Sequence, residues 1–243
     1  MTDNYIVLDT ETTGLNPVRD KVLEIGAARI EQGRVVETFE TLIDTGVPIP
    51  ERITELTGIT DAMQAEGKKT EEAFREFFDF CKDLPILGHN ITFDFSFLKQ
   101  MAVNLGYSFE KDGIDTLKIA RKVLTDLPSR RLPDLCAHYG IDPGHSHRAL
   151  DDALATHELL QRLWKEFGEK EPDAFSAKPL QYSAKKQSPI TDSQKGYLND
   201  LLKYHRIDTN IRIEDMTKSE ASRMIDKIIL NYGRMPKSGR RTE

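Results

Sequence analysis

The sequence predicts an α/β fold: a mixed sheet of about five strands with helices on both faces, followed by a small C-terminal helical module. Three observations predict it. Strand-length apolar runs alternate with amphipathic stretches as far as Phe167. Three strand-like runs come in succession near the start, which makes the sheet mixed and not wholly parallel. A stretch rich in Glu, Lys, Ser and Pro over 168–190 then separates this part from two further helical patterns.

Tyr5-Ile-Val-Leu8 is a short apolar run of strand size. Val22–Ile30 and Val35–Ile43 flank Glu31-Gln-Gly-Arg34, a loop of hairpin length with Gly inside. Pro50–Leu56 opens with a proline near its first turn and reads as a helix. Thr70–Phe80 places aromatic residues on one face behind Thr70 as a cap. Ile86–Asn90 is a strand, and a helix runs from about Phe93 to Leu105, closed by Gly106. Gly113–Thr116 is a short strand feeding a helix to Leu124. Leu132–Tyr139 is a helix ended by Gly140, and Leu150–Phe167 is the last helix of this domain. The expected organisation is therefore a catalytic-type domain over 1–167, a linker over 168–190, a helical module over 191–233 and a basic tail over 234–243. In the module, Gln194–Tyr204 is one helix. Thr217-Lys-Ser-Glu220 is a capping box that opens the other, with Ala221, Met224, Ile225, Ile228, Ile229 and Tyr232 at helical spacing.

The chain has 243 residues, and its net charge of −6 conceals an asymmetry. From Ala177 onward there are 14 basic and 8 acidic residues, net +6, which leaves the body at net −12. Charge alone therefore argues against polyanion binding by the body and allows it for the tail. No apolar run reaches the ~18–20 residues of a membrane span. No basic region precedes Tyr5–Leu8, so no secretory signal is expected. Cys81 and Cys136 have neither paired nor metal-type spacing, which fits a reducing, cytoplasmic setting.

Three motifs carry chemistry. In Ile6-Val-Leu-Asp-Thr-Glu-Thr-Thr-Gly-Leu15, an apolar strand ends in Asp9, and Glu11 follows on the same side by period-two geometry. Adjacent carboxylates repel unless a cation neutralises them, and hard ions such as Mg²⁺ or Mn²⁺ are the natural partners. Asp-x-Glu alone also reads as the polar end of a strand. In Leu87-Gly-His-Asn-Ile-Thr-Phe-Asp-Phe-Ser-Phe-Leu98, a strand delivers His89 and Asn90, and Asp94 falls in the first turn of a helix. There it complements the helix N-terminus, or it serves a site against the apolar neighbours Phe93, Phe95 and Phe97. In His145-Ser-His-Arg-Ala-Leu-Asp-Asp-Ala-Leu-Ala-Thr156, Asp151 shares a helical face with Arg148, Glu158 and Arg162. Asp152 shares one with Ala149, Ala153, Thr156, Leu159 and Leu163, so it is the better candidate for a buried ligand. His147, near the helix start, is placed to act on whatever Asp152 binds, or to cap or pack.

Taken together, strand-Asp-x-Glu, His-Asn-x-x-Phe-Asp and His-x-x-x-x-Asp resemble the DEDDh exonucleases, the DnaQ-like family that includes the proofreading exonucleases of bacterial replicative polymerases. Ile53-Thr-Glu-Leu-Thr-Gly-Ile-Thr-Asp-Ala-Met63 matches a further family element, and the resemblance covers about residues 4–166. It implies an RNase H-like sheet and a metal-dependent 3′-to-5′ exonuclease. Asp9, Glu11 and Asp152 would bind one of two Mg²⁺ or Mn²⁺ ions, with Asp9 reaching the second. Asp94 would act through water, and His147 would be the general base. Thr12, Leu56, Thr57, Asn90 and Phe93 would line the pocket for the terminal nucleotide. The implied partner is a single-stranded or frayed nucleic acid end, with DNA preferred over RNA. An RNA-directed exoribonuclease or trimmer is the alternative within enzymes. A nucleic-acid-binding or replisome-tethering protein with a decayed nuclease is the alternative of another class, and the filled motif positions count against it. The C-terminal module allows a polymerase or replisome contact. Tyr197, Tyr204, Lys195, Lys203 and Arg206 allow a stacking-plus-charge surface for single strands, or belong to a small core with a solvated face.

Overall fold

The computed structural model describes residues 3–144 and 147–236. The expected tail over 234–243 therefore lies outside the described residues beyond Pro236. The chain divides into two compact units, with the boundary at Lys185/Lys186 and Gly46–Pro48 grouped with the second.

The first unit is built on β1 (Asn4–Thr12), β2 (Val22–Glu31) and β3 (Arg34–Asp44), an antiparallel meander joined by a tight turn at Gln32-Gly33. Gln32 and Gly33 both have positive φ, which a hairpin turn of matching twist requires. On the other side of β1, β5 (Ile86–Gly88) and β6 (Asp112–Asp115) run parallel to it. Short edge strands β4 (Lys68–Lys69) and β7 (Lys178–Pro179) complete seven strands in the order β4-β3-β2-β1-β5-β6-β7. The sheet has two strands more than expected because a two-residue edge strand leaves no alternation to read.

Period-two alternation divides β1 between two cores. Ile6 and Leu8 join the core covered by α3 (Thr70–Cys81) and α4 (Thr92–Leu105), rich in Phe74, Phe77, Phe95 and Phe109. Tyr5 and Val7 join the core under α5 (Thr116–Val123), α6 (Leu132–Tyr139) and α7 (Ala149–Phe167). Two short helices, α1 (Glu51–Thr57) and α2 (Asp61–Ala65), lie in the connection between β3 and β4. Gly106 and Gly140 close α4 and α6 in the left-handed conformation, as expected. Thr70 is the first residue of α3 and not its cap; Lys69 holds the cap position. Cys81 and Cys136 are free and buried. Among the described residues no helix is long and apolar enough to cross a membrane.

The stretch read as a linker departs from expectation. Residues 172–175 form a 3₁₀ turn that buries Phe175 completely, edge-on to Trp164 at 5.2 Å. β7 then pairs antiparallel with β6, and Leu180 and Tyr182 pack on the α3–α4 core. One fully buried side chain, Phe175, anchors this segment with Leu180 and Tyr182 partly buried behind it, too sparse a signal to show as a period.

The second unit consists of α8 (Asp192–His205) and α9 (Lys218–Tyr232) around Leu198, Leu201, Leu202, Ile213, Met216, Ala221 and Ile228. The expected capping box at Thr217/Glu220 is present, and a second one at Thr191/Gln194 starts α8 two residues earlier than anticipated.

Truncation after Phe167 strips Phe175 and β7 from the first unit, and a large buried aromatic lost from a core costs roughly 3–5 kcal/mol. A chain ending at 167 is therefore expected to melt well below the full protein, and one ending at 185 close to the first unit's transition in the full chain. Calorimetry of the two truncations checks this.

Candidate active site

The same alternation that divides the cores places the acids. Asp9 and Glu11 continue the Tyr5–Val7 series toward α7, and Thr10 continues the Ile6–Leu8 series toward α4. Thr10 donates from both its backbone N–H (3.0 Å) and its hydroxyl (2.7 Å) to Asp94 Oδ1 in the first turn of α4. Asp94 is only 3% exposed, so these bonds fix its carboxyl beside the end of β1. From the opposite face, α7 supplies Asp152, whose carboxylate accepts the His147 N–H at 3.1 Å. Donor atoms of Glu11, His147 and Asp152 lie within 4.8 Å of one another. Among the described residues it is the carboxylate of Asp152, and not that of Asp151, that joins this group.

The cluster is electrostatically strained. Burial first, then the charges of Asp94, Glu11 and Asp152, push Asp9 well above the usual carboxylate range. Burial together with Asp152 and Glu24 raises Glu11 to about 8. Asp94 rises to about 7, chiefly by burial, against the lowering effect of the Thr10 hydrogen bonds. Burial raises Asp152 as well, and the His147 N–H and its ring oppose the shift. The donor set fits a hard divalent cation: crowded carboxylate oxygens whose mutual repulsion a positive charge would relieve.

The pocket residues suggested by the resemblance each have their own local partners. Thr12 is buried and its hydroxyl donates to the Gly14 carbonyl (2.7 Å). Thr57 donates to the Ile53 carbonyl (2.9 Å) and accepts from the Ile59 N–H (3.1 Å), closing α1. Leu56 is largely exposed beside it. Asn90 is exposed with φ +68°, its N–H held by Asp115 Oδ1 at 3.0 Å. Phe93 is half-buried, 5.0 Å from Phe97. Leu56, Asn90 and Phe93 thus keep surface available, and the two threonine hydroxyls serve their own turns. His89, whose ring bonds to Thr116 (2.9 Å) and the Arg130 carbonyl (2.9 Å), ties β5 to the following loops.

The sequence reading missed Glu24 and Arg148. Glu24 faces Glu11 across the β1–β2 ladder and is 0% exposed. Its carboxylate takes Arg148 Nη2 (2.7 Å) and Nε (3.1 Å), and the Ala149 N–H at the start of α7 (3.1 Å). Arg148 Nη2 also reaches Glu40 at 2.8 Å. This clamp sits between His147 and Asp152 in the chain. The close approach is possible because a Cβ on Gly26 would lie only 2.0 Å from the Leu150 nitrogen. A charged residue in the middle of the apolar run Val22–Ile30 was the available signal.

An RNase H-like sheet with four carboxylates and a histidine around the end of its central strand defines a phosphodiester-hydrolase class of site. The profile of the exonuclease family RNase T matches residues 6–160, and the chain belongs to this family of DnaQ-like exonucleases. The chain is 36% identical over 169 residues to the DNA polymerase III subunit epsilon of Aquifex aeolicus, covering 68% of this chain and 84% of that one. It is 37% identical over 165 residues to the PolC-type DNA polymerase III of Caldanaerobacter subterraneus, covering 68% of this chain but only 12% of that protein. Among solved structures, E. coli exonuclease I bound to single-stranded DNA superposes with a TM-score of 0.63 at 22% identity, over 71% of this chain and 42% of that one. Exonuclease X bound to 5′-overhanging duplex DNA gives 0.55 at 24% identity, over 68% and 93%. These two likenesses show the fold.

Two outcomes are expected. Glu11 and Asp94 hold protons in the folded state that they release on unfolding, since their folded pKa values of about 8 and about 7 exceed their ordinary ones. Their contribution to stability is complete in acid and lost as pH rises through 7 and 8. In chelator, the melting temperature should fall from pH 6 to pH 9, and added Mg²⁺ should restore most at the alkaline end, with proton release on binding confined to the lower end of the range. A chelated protein that gains stability over that range overturns this. Separately, Glu24→Gln keeps an acceptor for the Ala149 N–H but removes the charge facing Arg148. It should lower the rate by tenfold or more, given that a shift of ~1 Å can cost about 10²-fold. Thermal melts and kcat on the same preparation check it.

Proposed function

We propose that the protein is a divalent-metal-dependent 3′-to-5′ exonuclease that releases nucleoside 5′-monophosphates from single-stranded or frayed DNA ends. The observation that carries this reading is the meeting of Glu11 from β1 with His147, just before α7, and Asp152 from α7, beside Asp9 and the Thr10-held Asp94. Asp9, Glu11 and Asp152 are the residues to hold Mg²⁺ or Mn²⁺. Once bound, such ions neutralise charge on the attacking and leaving oxygens of a phosphodiester. The chain's own groups do the rest. His147, anchored through its backbone to Asp152, takes the proton from the attacking water. Asp94, immobilised by Thr10, orients water at the far side of the cluster. The exposed surface of Leu56, Asn90 and Phe93 receives the terminal nucleotide, and Thr12 and Thr57 shape the turns around it.

DNA as substrate is supported by the names of the relatives, which are polymerase III components, and by the single-stranded DNA in the exonuclease I complex. Proofreading of newly made ends is the setting this activity fits.

The test uses 5′-labelled DNA and RNA oligonucleotides of matched sequence. The expected result is a ladder shortening from the 3′ end, fastest on DNA, dependent on Mg²⁺ or Mn²⁺ and abolished by Asp9→Ala. Asp152→Asn should lose at least about 10²-fold, His147→Ala roughly 10²–10⁴-fold, and Asp151→Asn little. Hydrolysis that persists in chelator, or equal losses at Asp151 and Asp152, overturns the assignment. Faster hydrolysis of RNA makes the chain an exoribonuclease instead.

A further inference from the structure

Four large hydrophobic side chains of the second unit stay exposed: Tyr197, Tyr204, Leu230 and Tyr232. Three of the four are tyrosines, rings with polar edges rather than an aliphatic docking face. Leu198, Leu201, Leu202 and Ile228 fill the small core, so the tyrosines are not needed there.

Two of them converge. α8 ends at Arg206, in the left-handed conformation with φ +52°, immediately after Tyr204 and His205. The His205 ring meets Tyr204 edge-on at 4.8 Å and lies against Tyr232, from the end of α9, at 5.6 Å. His205 Nε2 donates to the Gly233 carbonyl at 3.0 Å and so ties the two helix ends together. The result is a row of three rings held by one hydrogen bond, with Tyr204 55% and Tyr232 58% exposed. Tyr197 stands two turns earlier on the Tyr204 face of α8, about 10 Å away along the axis.

The charge around this row is one-sided. Leu201–Ile207 and Lys227–Pro236 carry Lys203, Arg206, Lys227 and Arg234 and no acidic residue; Asp200, Asp208 and Asp226 stand at the margins. Two other cations of the unit are paired: Lys195 with Asp192 at 3.8 Å and Arg212 with Asp215 at 2.9 Å. Among the described residues no ion pair engages Lys203, Arg206 or Arg234. Exposed rings interleaved with unpaired cations match the chemistry of a single nucleic acid strand, which offers π-faces at its bases and a negative backbone.

We propose that Tyr204, His205 and Tyr232, flanked by Lys203, Arg206 and Arg234, form a stacking platform for single-stranded nucleic acid, separate from the residues that hydrolyse it. A strand held there stays at high effective concentration for the catalytic unit on the same chain. The platform therefore acts on KM for long strands and not on kcat. The proposal rests on the nuclease reading only for the identity of the ligand.

The test measures binding of the full-length protein to oligo(dT)30 in chelator by fluorescence anisotropy, alongside metal-supported hydrolysis of a trinucleotide. Tyr204→Ala and Tyr232→Ala should each weaken binding by about fivefold or more, as loss of one base–aromatic stack does. Tyr204→Phe and Tyr232→Phe should bind like the wild type, because stacking needs the ring and not the hydroxyl. Lys203→Gln with Arg206→Gln should make the salt dependence shallower by about 0.7 for each phosphate that is no longer neutralised, which tests the surface without touching an aromatic residue. Trinucleotide kcat should be unchanged throughout, and KM on the long strand should rise. Unaltered oligo(dT)30 binding in both the alanine and the glutamine variants overturns the proposal. A wild-type protein that binds oligo(dT)30 but hydrolyses nothing leaves the platform standing and overturns the catalytic reading instead.

Discussion

The contact between the first turn of α7 and strand β2 is the constraint on which the site depends. Backbone meets backbone there, and only a residue without a side chain fits at Gly26. Glu24, one alternation step away, is fully buried and would be costly as an isolated charge. The guanidinium of Arg148 and the Ala149 N–H compensate it. Because Arg148 lies directly after His147 and four residues before Asp152, this one buried carboxylate sets the position of both.

The cluster that results is held against its own repulsion. Asp9, Glu11, Asp94 and Asp152 all have carboxyls raised above their ordinary range. A fold can hold such a group only if the elements carrying it are fixed by other interactions. Here those are the two cores on either side of β1, the Thr10–Asp94 bonds and the Glu24–Arg148 clamp. A cation bound there would relieve the crowding of the acids, so site and ligand would be coupled through stability as well as through chemistry.

The two units follow different physics. The catalytic unit has a sheet covered on both faces, and its last segment, through Phe175, Leu180 and Tyr182, seals the covering. The helical unit has a small core and two capping boxes, which satisfy the ends of helices that packing alone supports weakly. Its core is wholly aliphatic and methionine-lined, and its tyrosines Tyr197, Tyr204 and Tyr232 stand at the surface.

Much was legible in the sequence because it is written in local periods. The alternation of β1 put Asp9 and Glu11 on one side, and helical periodicity separated Asp152 from Asp151; in the structure donor atoms of Glu11 and Asp152 come within 4.8 Å of each other. Gly106, Gly140 and the Thr217/Glu220 box marked helix ends because each satisfies its own backbone locally. What the sequence alone could not decide depends on partners distant in the chain. Glu24 was an unremarked residue of the Val22–Ile30 run until Arg148, 124 residues away, closed on it. Thr10 was the unremarked middle of Asp-x-Glu until α4 brought Asp94 to its hydroxyl. Residues 172–182 read as linker because a single buried phenylalanine and a two-residue strand have no period. The sequence by itself determined which side chains face the same way. Only the tertiary structure decided which of them meet, because burial and pairing of a charge depend on neighbours that no local spacing encodes.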